Sequence, residues 1–314
     1  MPTDDPGLPG APDLDAPPFE PAPLLPWMDA AQWQPPKKFQ HRYWLHILLF
    51  LVTLGTTTWA AASFVAATWA DAFAYSIPIL VVLGAHEFGH YFACRYHDVD
   101  ATLPYFIPAP PIVISGTFGA VIRIREAFPS KQALFDIGVA GPIAGFVALI
   151  PFLWWGLAHA TAAVPSPNDG VIMFGDPLLL TIIKHFAMGP MPPGDVELNP
   201  TLFAAWFGML ATALNLLPFG QLDGGHIAYA ALGRHAKWVS IATLAVTVSM
   251  TLISASWVVT SLMMLAMTFF LGVRHPRVHD EHVPLDGTRL LVAVFAAVMF
   301  VLCFVPVPIQ SFLR

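Results

Sequence analysis

The sequence contains few charged residues, and this scarcity excludes an ordinary water-soluble domain. Asp, Glu, Lys and Arg make up only 11% of the 314 residues, whereas 56% are hydrophobic. Soluble domains carry about 25% charged residues. We therefore expect most of this chain to be surrounded by a lipid bilayer rather than by water.

Cysteine and basic runs are also scarce. The two cysteines, Cys94 and Cys303, are too few for a disulfide framework or a metal site built from thiolates. No basic run is longer than Lys37-Lys38, so we predict no nucleic-acid partner.

Lysine and arginine are absent from residues 1–36, which contain eleven Pro and six acidic residues. This composition cannot bury a core, so we predict that residues 1–42 form a disordered, Pro-rich, acidic cytoplasmic tail. The order of a secretory signal, basic and then apolar, is missing. Residues 43–314 are predicted to form the transmembrane domain.

Long apolar windows dominate the rest of the chain. Windows close to the roughly 20 residues that cross a bilayer fall at 44–66, 74–95, 134–158, 200–218, 237–254, 257–273 and 288–307. They predict an all-α polytopic membrane protein with about seven transmembrane helices. The apolar segment 171–186 includes Asp176, Pro177 and Lys184, and is interpreted as interfacial or re-entrant.

The distribution of basic residues predicts the orientation. With a cytoplasmic N-terminus, seven spans place twelve of the fourteen Lys and Arg residues on the cytoplasmic side and only Lys184 and Arg314 outside. An eighth span at 171–186 would move five of those twelve to the outside, so seven spans are favoured.

Span two contains the motif His86-Glu87-Phe88-Gly89-His90. Charged groups at membrane depth are rarely retained without a use. On a helix, two His at i and i+4 can hold one Zn²⁺, and the Glu between them is a candidate general base. The motif predicts a metalloprotease that works inside a membrane.

Two His leave the metal site incomplete, and Asp223 is the best candidate for a third ligand. It follows span four, which ends at the depth of the two His, and the glycines after it allow close approach of the backbone. Two alternatives stay open at this stage. Asp223 could cap the segment that follows it, and His226 could be the third ligand.

These motifs resemble the site-2 protease family, in particular a bacterial and plastid branch. The resemblance covers about residues 80 to 290. It is carried by His86–Tyr91, Leu103–Pro108, Gly116–Arg123, Phe135–Pro142, Asn215–Pro218 and Gln221–His226.

The resemblance implies a zinc endopeptidase that cuts transmembrane helices. It assigns one Zn²⁺ to His86, His90 and Asp223, makes Glu87 the base, and places Asn215 beside the metal. Many relatives carry PDZ or cystathionine-synthase-type regulatory modules. The short connection between spans two and three leads us to expect neither module here.

Two further elements suggest how a substrate would be handled. The amide of Asn215 could donate a hydrogen bond to a developing oxyanion, or else form only an interhelical hydrogen bond. The alternation of Thr117–Arg125, after a Pro-rich segment, predicts a small β-hairpin and a re-entrant loop between spans two and three. The hairpin edge could accept the substrate as an added strand, or the hairpin could only plug the cytoplasmic mouth.

Span three contains Gly138, Gly141 and Gly145, which we predict to allow close approach of another helix. Asp136, near the start of this span, is interpreted as an interfacial cap rather than a catalytic group.

The predicted function is regulated intramembrane proteolysis of a single-span membrane protein, for example a membrane-tethered transcription regulator. The alternative is a metal-ion transporter that uses the same cluster, although transporters often show two repeated halves and no second such motif occurs. We expect the bacterial inner membrane, with a plastid membrane as the alternative. The sequence does not predict the oligomeric state.

Overall fold

A computed structural model describes residues 38–110, 112–161, 172–188, 197–272, 278 and 283–311. Residues 1–37, which make up most of the predicted disordered tail, lie outside the described residues. Residues 38–42 contact the domain, since Lys38 pairs with Asp98 at 2.9 Å and the Arg125 guanidinium donates to Gln40 O at 3.0 Å.

The described chain consists mainly of helices, with two small sheets. The helices are α1 (Tyr43–Phe64), α2 (Trp69–Tyr96), α3 (Lys131–Ala158), α4 (Leu178–Met188), α5 (Pro200–Asn215), α6 (Asp223–Leu232), α7 (Ala236–Met250), α8 (Trp257–Leu271) and α9 (Gly287–Cys303). A 3₁₀ turn, Gly233–His235, joins α6 to α7. Strand β1 (Tyr105–Pro108) pairs antiparallel with β2 (Thr117–Val121), and β3 (Ile172–Phe174) pairs antiparallel with β4 (Ile309–Ser311).

Every predicted span overlaps a helix, but the helices differ in length. Among the described residues, α1, α2 and α3 are long and apolar enough to cross a membrane by themselves. Helices α8 and α9 are shorter apolar helices, as is most of α4. The mainly helical fold and the small hairpin between spans two and three are confirmed, whereas the count of seven spans stays a prediction.

Side-chain caps define where several helices begin. Thr68 and Asp71 form a capping box at the start of α2, and Asn199 caps α5 just before Pro200. Ser130 caps α3 by accepting from the Ala133 N–H. The interpretation of Asp136 as a cap was therefore wrong, because Asp136 lies within α3 and its carboxylate contacts other helices.

The core lies where α2, α3 and α5 meet. Its buried side chains include Val82 from α2, Leu149 and Leu153 from α3, and Trp206 from α5. Lipid is as apolar as these residues, so close van der Waals packing rather than exclusion of water holds the helices together. A glycine permits this approach, because a Cβ at Gly208 of α5 would lie 3.0 Å from Val82 Cγ1.

Candidate metal centre

Helix α2 places His86 and His90 one turn apart on one face. Both residues are buried, at 6% and 7% exposure. Their Nε2 atoms lie 3.1 Å from each other. This i and i+4 arrangement is the one predicted from the motif, and it directs two nitrogen donors at a common point.

Asp223 reaches the same point from a separate element. The chain turns sharply after α5, with Gly220 at φ +53°, and α6 then begins at Asp223 itself. A Cβ at Gly224 would overlap with the backbone of Leu216, so the turn requires glycine there. The position before α6 is Leu222, and α6 has no side-chain cap. Asp223 therefore does not cap the following helix, and its carboxylate faces the two imidazoles.

The three side chains form one compact donor set. Asp223 Oδ2 lies 3.1 Å from His86 Nε2, and Oδ1 lies 3.3 Å from His90 Nε2. One donor atom from each residue lies within 4.8 Å of the others. The rival ligand His226 is not in this set, and its ring packs edge-on against Phe128 at 5.7 Å between centroids.

These distances fit a tetrahedral metal ion. Two donors about 2.0–2.1 Å from a tetrahedral centre lie roughly 3.3 Å apart, close to the observed donor spacings. The donor set contains two imidazole nitrogens and one carboxylate, and such three-residue sets leave a fourth position open in catalytic zinc sites. The residues present therefore fit a zinc ion.

Glu87 lies beside the donor set but outside it. Its Oε1 atom is 4.0 Å from His86 Nε2, and its side chain is only 9% exposed. The backbone N–H of Ile122, just beyond the end of β2, lies near the Glu87 carboxylate. The Glu87 carboxylate thus lies between the donor set and the hairpin.

Asn215, the last residue of α5, is also brought to the site. Its side-chain amide Nδ2 lies 3.3 Å from His86 Nε2. The structure thus brings together all five residues singled out from the sequence.

Helix α3 packs against both histidines of the donor set, a contact that the sequence did not predict. His90 Nδ1 lies 2.7 Å from Ile137 O, so this nitrogen donates to the carbonyl and Nε2 is left to face Asp223. Gly141, one turn further along α3, lies against the His90 ring, and Gly145 lies against His86. The spacing of these glycines predicted close packing, but the sequence did not indicate that their partners are the candidate ligands.

The hairpin presents an open strand edge next to Glu87. Thr102 N–H donates to Arg123 O at 3.0 Å, and Arg125 N–H donates to Asp100 O at 2.9 Å. The Arg123 carbonyl and the Arg125 N–H are therefore directed toward the chain that precedes β1. A strand that alternates from there would direct the N–H and C=O groups of Ala120 and Ile122 to the opposite, open side. Among the described residues no other strand pairs with β2.

The chain is similar to known proteins of one family. Residues 74–256 match the model of the family described as Peptidase family M50. The probable chloroplastic zinc metalloprotease EGY1 of Arabidopsis thaliana is 34% identical over 164 residues, covering 50% of this chain and 29% of the relative. The EGY1 protein of Oryza sativa subsp. japonica, which carries the same description, is 32% identical over 165 residues, covering 50% and 28%.

A longer alignment is found with the probable chloroplastic zinc metalloprotease EGY2 of Arabidopsis thaliana. It is 30% identical over 241 residues, covering 73% of this chain and 40% of the relative. The chain thus spans less than half the length of each of these three relatives. Among solved structures, the site-2 protease from Methanocaldococcus jannaschii is 15% identical with a TM-score of 0.33, covering 81% of this chain and 88% of that chain.

The family match covers more than half of the chain and includes both His, the Glu and the Asp of the donor region as well as Asn215. We conclude that the chain belongs to peptidase family M50.

Proposed function

We propose that this chain is an intramembrane zinc metalloendopeptidase that hydrolyses peptide bonds within or near transmembrane helices of membrane-anchored substrates. The observation that supports this most directly is the convergence of His86, His90 and Asp223 next to the buried carboxylate of Glu87. These groups come from two separate elements, α2 and α6, and the two imidazoles lie within a helix long enough to cross the bilayer.

The roles proposed for the residues follow from their positions. His86, His90 and Asp223 would hold the zinc ion, which when bound supplies an acidified water and a Lewis acid for the scissile carbonyl. Glu87 would accept a proton and return it to the leaving amine. The amide of Asn215 lies next to His86 and could donate a hydrogen bond to the oxyanion as charge develops.

Strand β2 offers a place for the substrate backbone. A transmembrane helix has satisfied all its own hydrogen bonds, so an unwound segment needs replacement partners in the membrane. The outward-facing groups of β2 can supply them, since an extended segment can pair with a free strand edge. The backbone of Ile122, just beyond β2, lies near Glu87, which would place the paired substrate next to the base.

Contacts on one face of the bundle support seven crossings. The Asn199 side chain at the start of α5 donates to Gly156 O near the end of α3, at 2.7 Å. The Trp257 indole at the start of α8 donates to Pro306 O beyond α9, at 2.7 Å. The end of α3 and the start of α5 therefore share a face, as do the start of α8 and the end of α9. We assign both pairs to the outside.

Contacts on the other face involve the end of α2, the starts of α3 and α9, and the α6–α7 junction. Asp136 near the start of α3 pairs with Arg289 at the start of α9 and with His97 at the end of α2. The junction between α6 and α7 lies on the same face, because Tyr229 and Ala236 pack with Leu134 near the start of α3. Helices α5 and α6, one after the other, would then form a single crossing of the bilayer.

The pairing of β3 with β4 bears on helix α4. Strand β3 precedes α4 and β4 follows α9, so their pairing places both on one face. An additional crossing by α4 would separate them. We therefore infer that α4 lies at the membrane surface. The distribution of basic residues then favours an N-terminus in the cytoplasm.

The partners we propose are the lipid bilayer and a single-span membrane protein, such as a tethered transcription regulator. The bacterial inner membrane stays our prediction, with a plastid membrane as the alternative. The relatives described above are named chloroplastic proteins.

The test is cleavage of a tagged single-span protein by the purified chain in proteoliposomes, with zinc measured by elemental analysis. The wild type should hold about one zinc and release a fragment. Glu87→Gln should keep the zinc and lose cleavage, whereas Asp223→Ala should lose zinc as well. Cleavage that survives in Glu87→Gln would refute the proposal, and zinc flux into liposomes that survives in that variant would favour a transporter.

A further inference from the structure

A chain of four polar side chains links three helices at the cytoplasmic end of the bundle. Arg289 of α9 grips Asp136 of α3 with two hydrogen bonds, Nε to Oδ1 at 2.8 Å and Nη2 to Oδ2 at 2.6 Å. His97, directly after α2, lies 3.0 Å from Asp136 Oδ2 through its Nε2 atom. Asp286, the cap of α9, pairs with the third nitrogen of the Arg289 guanidinium.

This arrangement is stronger than an ordinary surface ion pair. The Arg289 and Asp136 side chains are only about one quarter exposed, at 25% and 26%. A two-pronged arginine–carboxylate pair fixes geometry as well as distance. The Arg289 backbone N–H, and then its side chain, hold the pKa of the Asp286 carboxyl below its usual range, which keeps that end of the chain negatively charged.

Asp136 is the immediate neighbour of the backbone that orients a candidate metal ligand. The next residue, Ile137, supplies the carbonyl 2.7 Å from His90 Nδ1. Gly141, one turn later, lies against the same imidazole. Ile137 and Gly141 of α3 are thus two points at which His90 is held.

This part of α3 needs an external anchor. Pro142 lies within the helix and has no N–H, so the hydrogen bond that would run from position 142 to the Gly138 carbonyl is missing. The first turns of α3 are therefore less firmly tied to the rest of that helix. The contacts of Arg289 and His97 with Asp136 lie in these first turns, where they can compensate for the hydrogen bond that is missing at Pro142.

We propose that Asp136 is a positioning residue for His90: it fixes the start of α3 to α2 and α9, so that the Ile137 carbonyl holds the His90 imidazole in its ligand orientation. This inference rests on the proposed zinc site. It assigns Asp136 an indirect role, since the Asp136 side chain does not itself enter the donor set.

A matched pair of variants tests the proposal. Asp136→Asn keeps the shape of the side chain and removes its charge. Asp176→Asn removes a comparable carboxylate, 25% exposed and 2.9 Å from Lys184, on the outer face and away from His90. Arg289→Lys is a milder variant, because it keeps the charge but loses the two-pronged grip.

The measurements are the zinc dissociation constant, from competition with a chelator, and the visible absorption spectrum of the Co²⁺-substituted protein. Loss of an outer partner of a metal ligand weakens metal binding by about 10- to 100-fold. We expect about tenfold weaker zinc binding and an altered Co²⁺ spectrum in Asp136→Asn, a smaller loss in Arg289→Lys, and wild-type values in Asp176→Asn. If Asp136→Asn does not fold, the zinc affinity and Co²⁺ spectrum of Arg289→Lys are compared with those of Asp176→Asn instead. A loss in Arg289→Lys alone supports the proposal, and equal values in the two variants refute it.

Three results would overturn the proposal. The positioning role is refuted if Asp136→Asn binds zinc as tightly as the wild type with an unchanged Co²⁺ spectrum. It is also refuted if Asp176→Asn weakens binding equally, since the effect would then be general destabilisation. A wild-type protein that binds no zinc would overturn the proposed function together with this inference, so the two failures are distinguishable.

Discussion

Gly141 of α3 lies so close to His90 of α2 that a Cβ atom at position 141 would overlap with the imidazole Nε2. The nitrogen that would be displaced is the one that faces Asp223. The sequence predicts a helix-packing role for Gly141, and the structure shows that its lack of a side chain also leaves room for the His90 imidazole in the donor set.

The first prediction concerns this contact. Gly141→Ala should push the His90 ring aside and weaken zinc binding by more than tenfold, while overpacking lowers the free energy of unfolding by about 1–3 kcal/mol. Zinc content and thermal unfolding in detergent measure the two effects. Gly55→Ala is the control, because a Cβ at position 55 of α1 would meet nothing within 4 Å. Normal zinc binding by Gly141→Ala would contradict the packing argument.

Asn215 gives a second prediction. If its amide stabilises the oxyanion, Asn215→Ala should lower the cleavage rate by about 10²- to 10³-fold while zinc stays bound. Thr212→Ala is the control, since Thr212 lies one turn earlier in α5 and donates only to Gly208 O, at 2.8 Å. If Asn215→Ala lowers only the unfolding temperature, its amide serves as an interhelical hydrogen bond and not in catalysis.

The free edge of β2 gives a third prediction. If the alternation of backbone groups at residues 123 and 125 continues through β2, the N–H of Ala120 faces away from β1. Proline is tolerated where a strand N–H is not needed for the sheet. Ala120→Pro should therefore keep the hairpin and the zinc, but raise KM by removing a partner for the substrate backbone. Val121→Pro, by contrast, removes an N–H on the β1 side and should destabilise the hairpin. If Ala120→Pro keeps the wild-type KM, the substrate does not pair with this edge. The hairpin would then only plug the cytoplasmic mouth of the site.

A fourth prediction tests the topology with single cysteines and a membrane-impermeant thiol reagent. Phe186→Cys in α4, at a position that is 81% exposed, should be labelled from outside in intact cells. Arg234→Cys, in the turn between α6 and α7, should be labelled only after the membrane is permeabilised. The native Cys94 and Cys303 are fully buried and should react with neither protocol. Labelling of Arg234→Cys in intact cells would contradict the proposed topology.

Much of the candidate site could be predicted because its chemistry is local. His86 and His90 are four residues apart on one helix, so the period of the helix alone places them together. The hairpin was also predictable, since proline and glycine bracket an alternating strand. The residues at which α2 and α5 begin were less predictable, because the N-caps Thr68 and Asn199 determine them rather than hydrophobicity.

What required the tertiary structure was every relationship between distant segments. Without the family resemblance, the residue pattern could not choose between Asp223 and His226. Both follow the same glycine turn, and only the path of the backbone through it decides which side chain faces α2. Nor could it identify the Ile137 carbonyl, because any residue type presents the same backbone group. The sequence by itself determined a membrane chain with a metal-binding helix; packing of α3 and α6 against that helix decided the third donor and the orientation of His90, since a donor atom is useful only within bonding distance of the others.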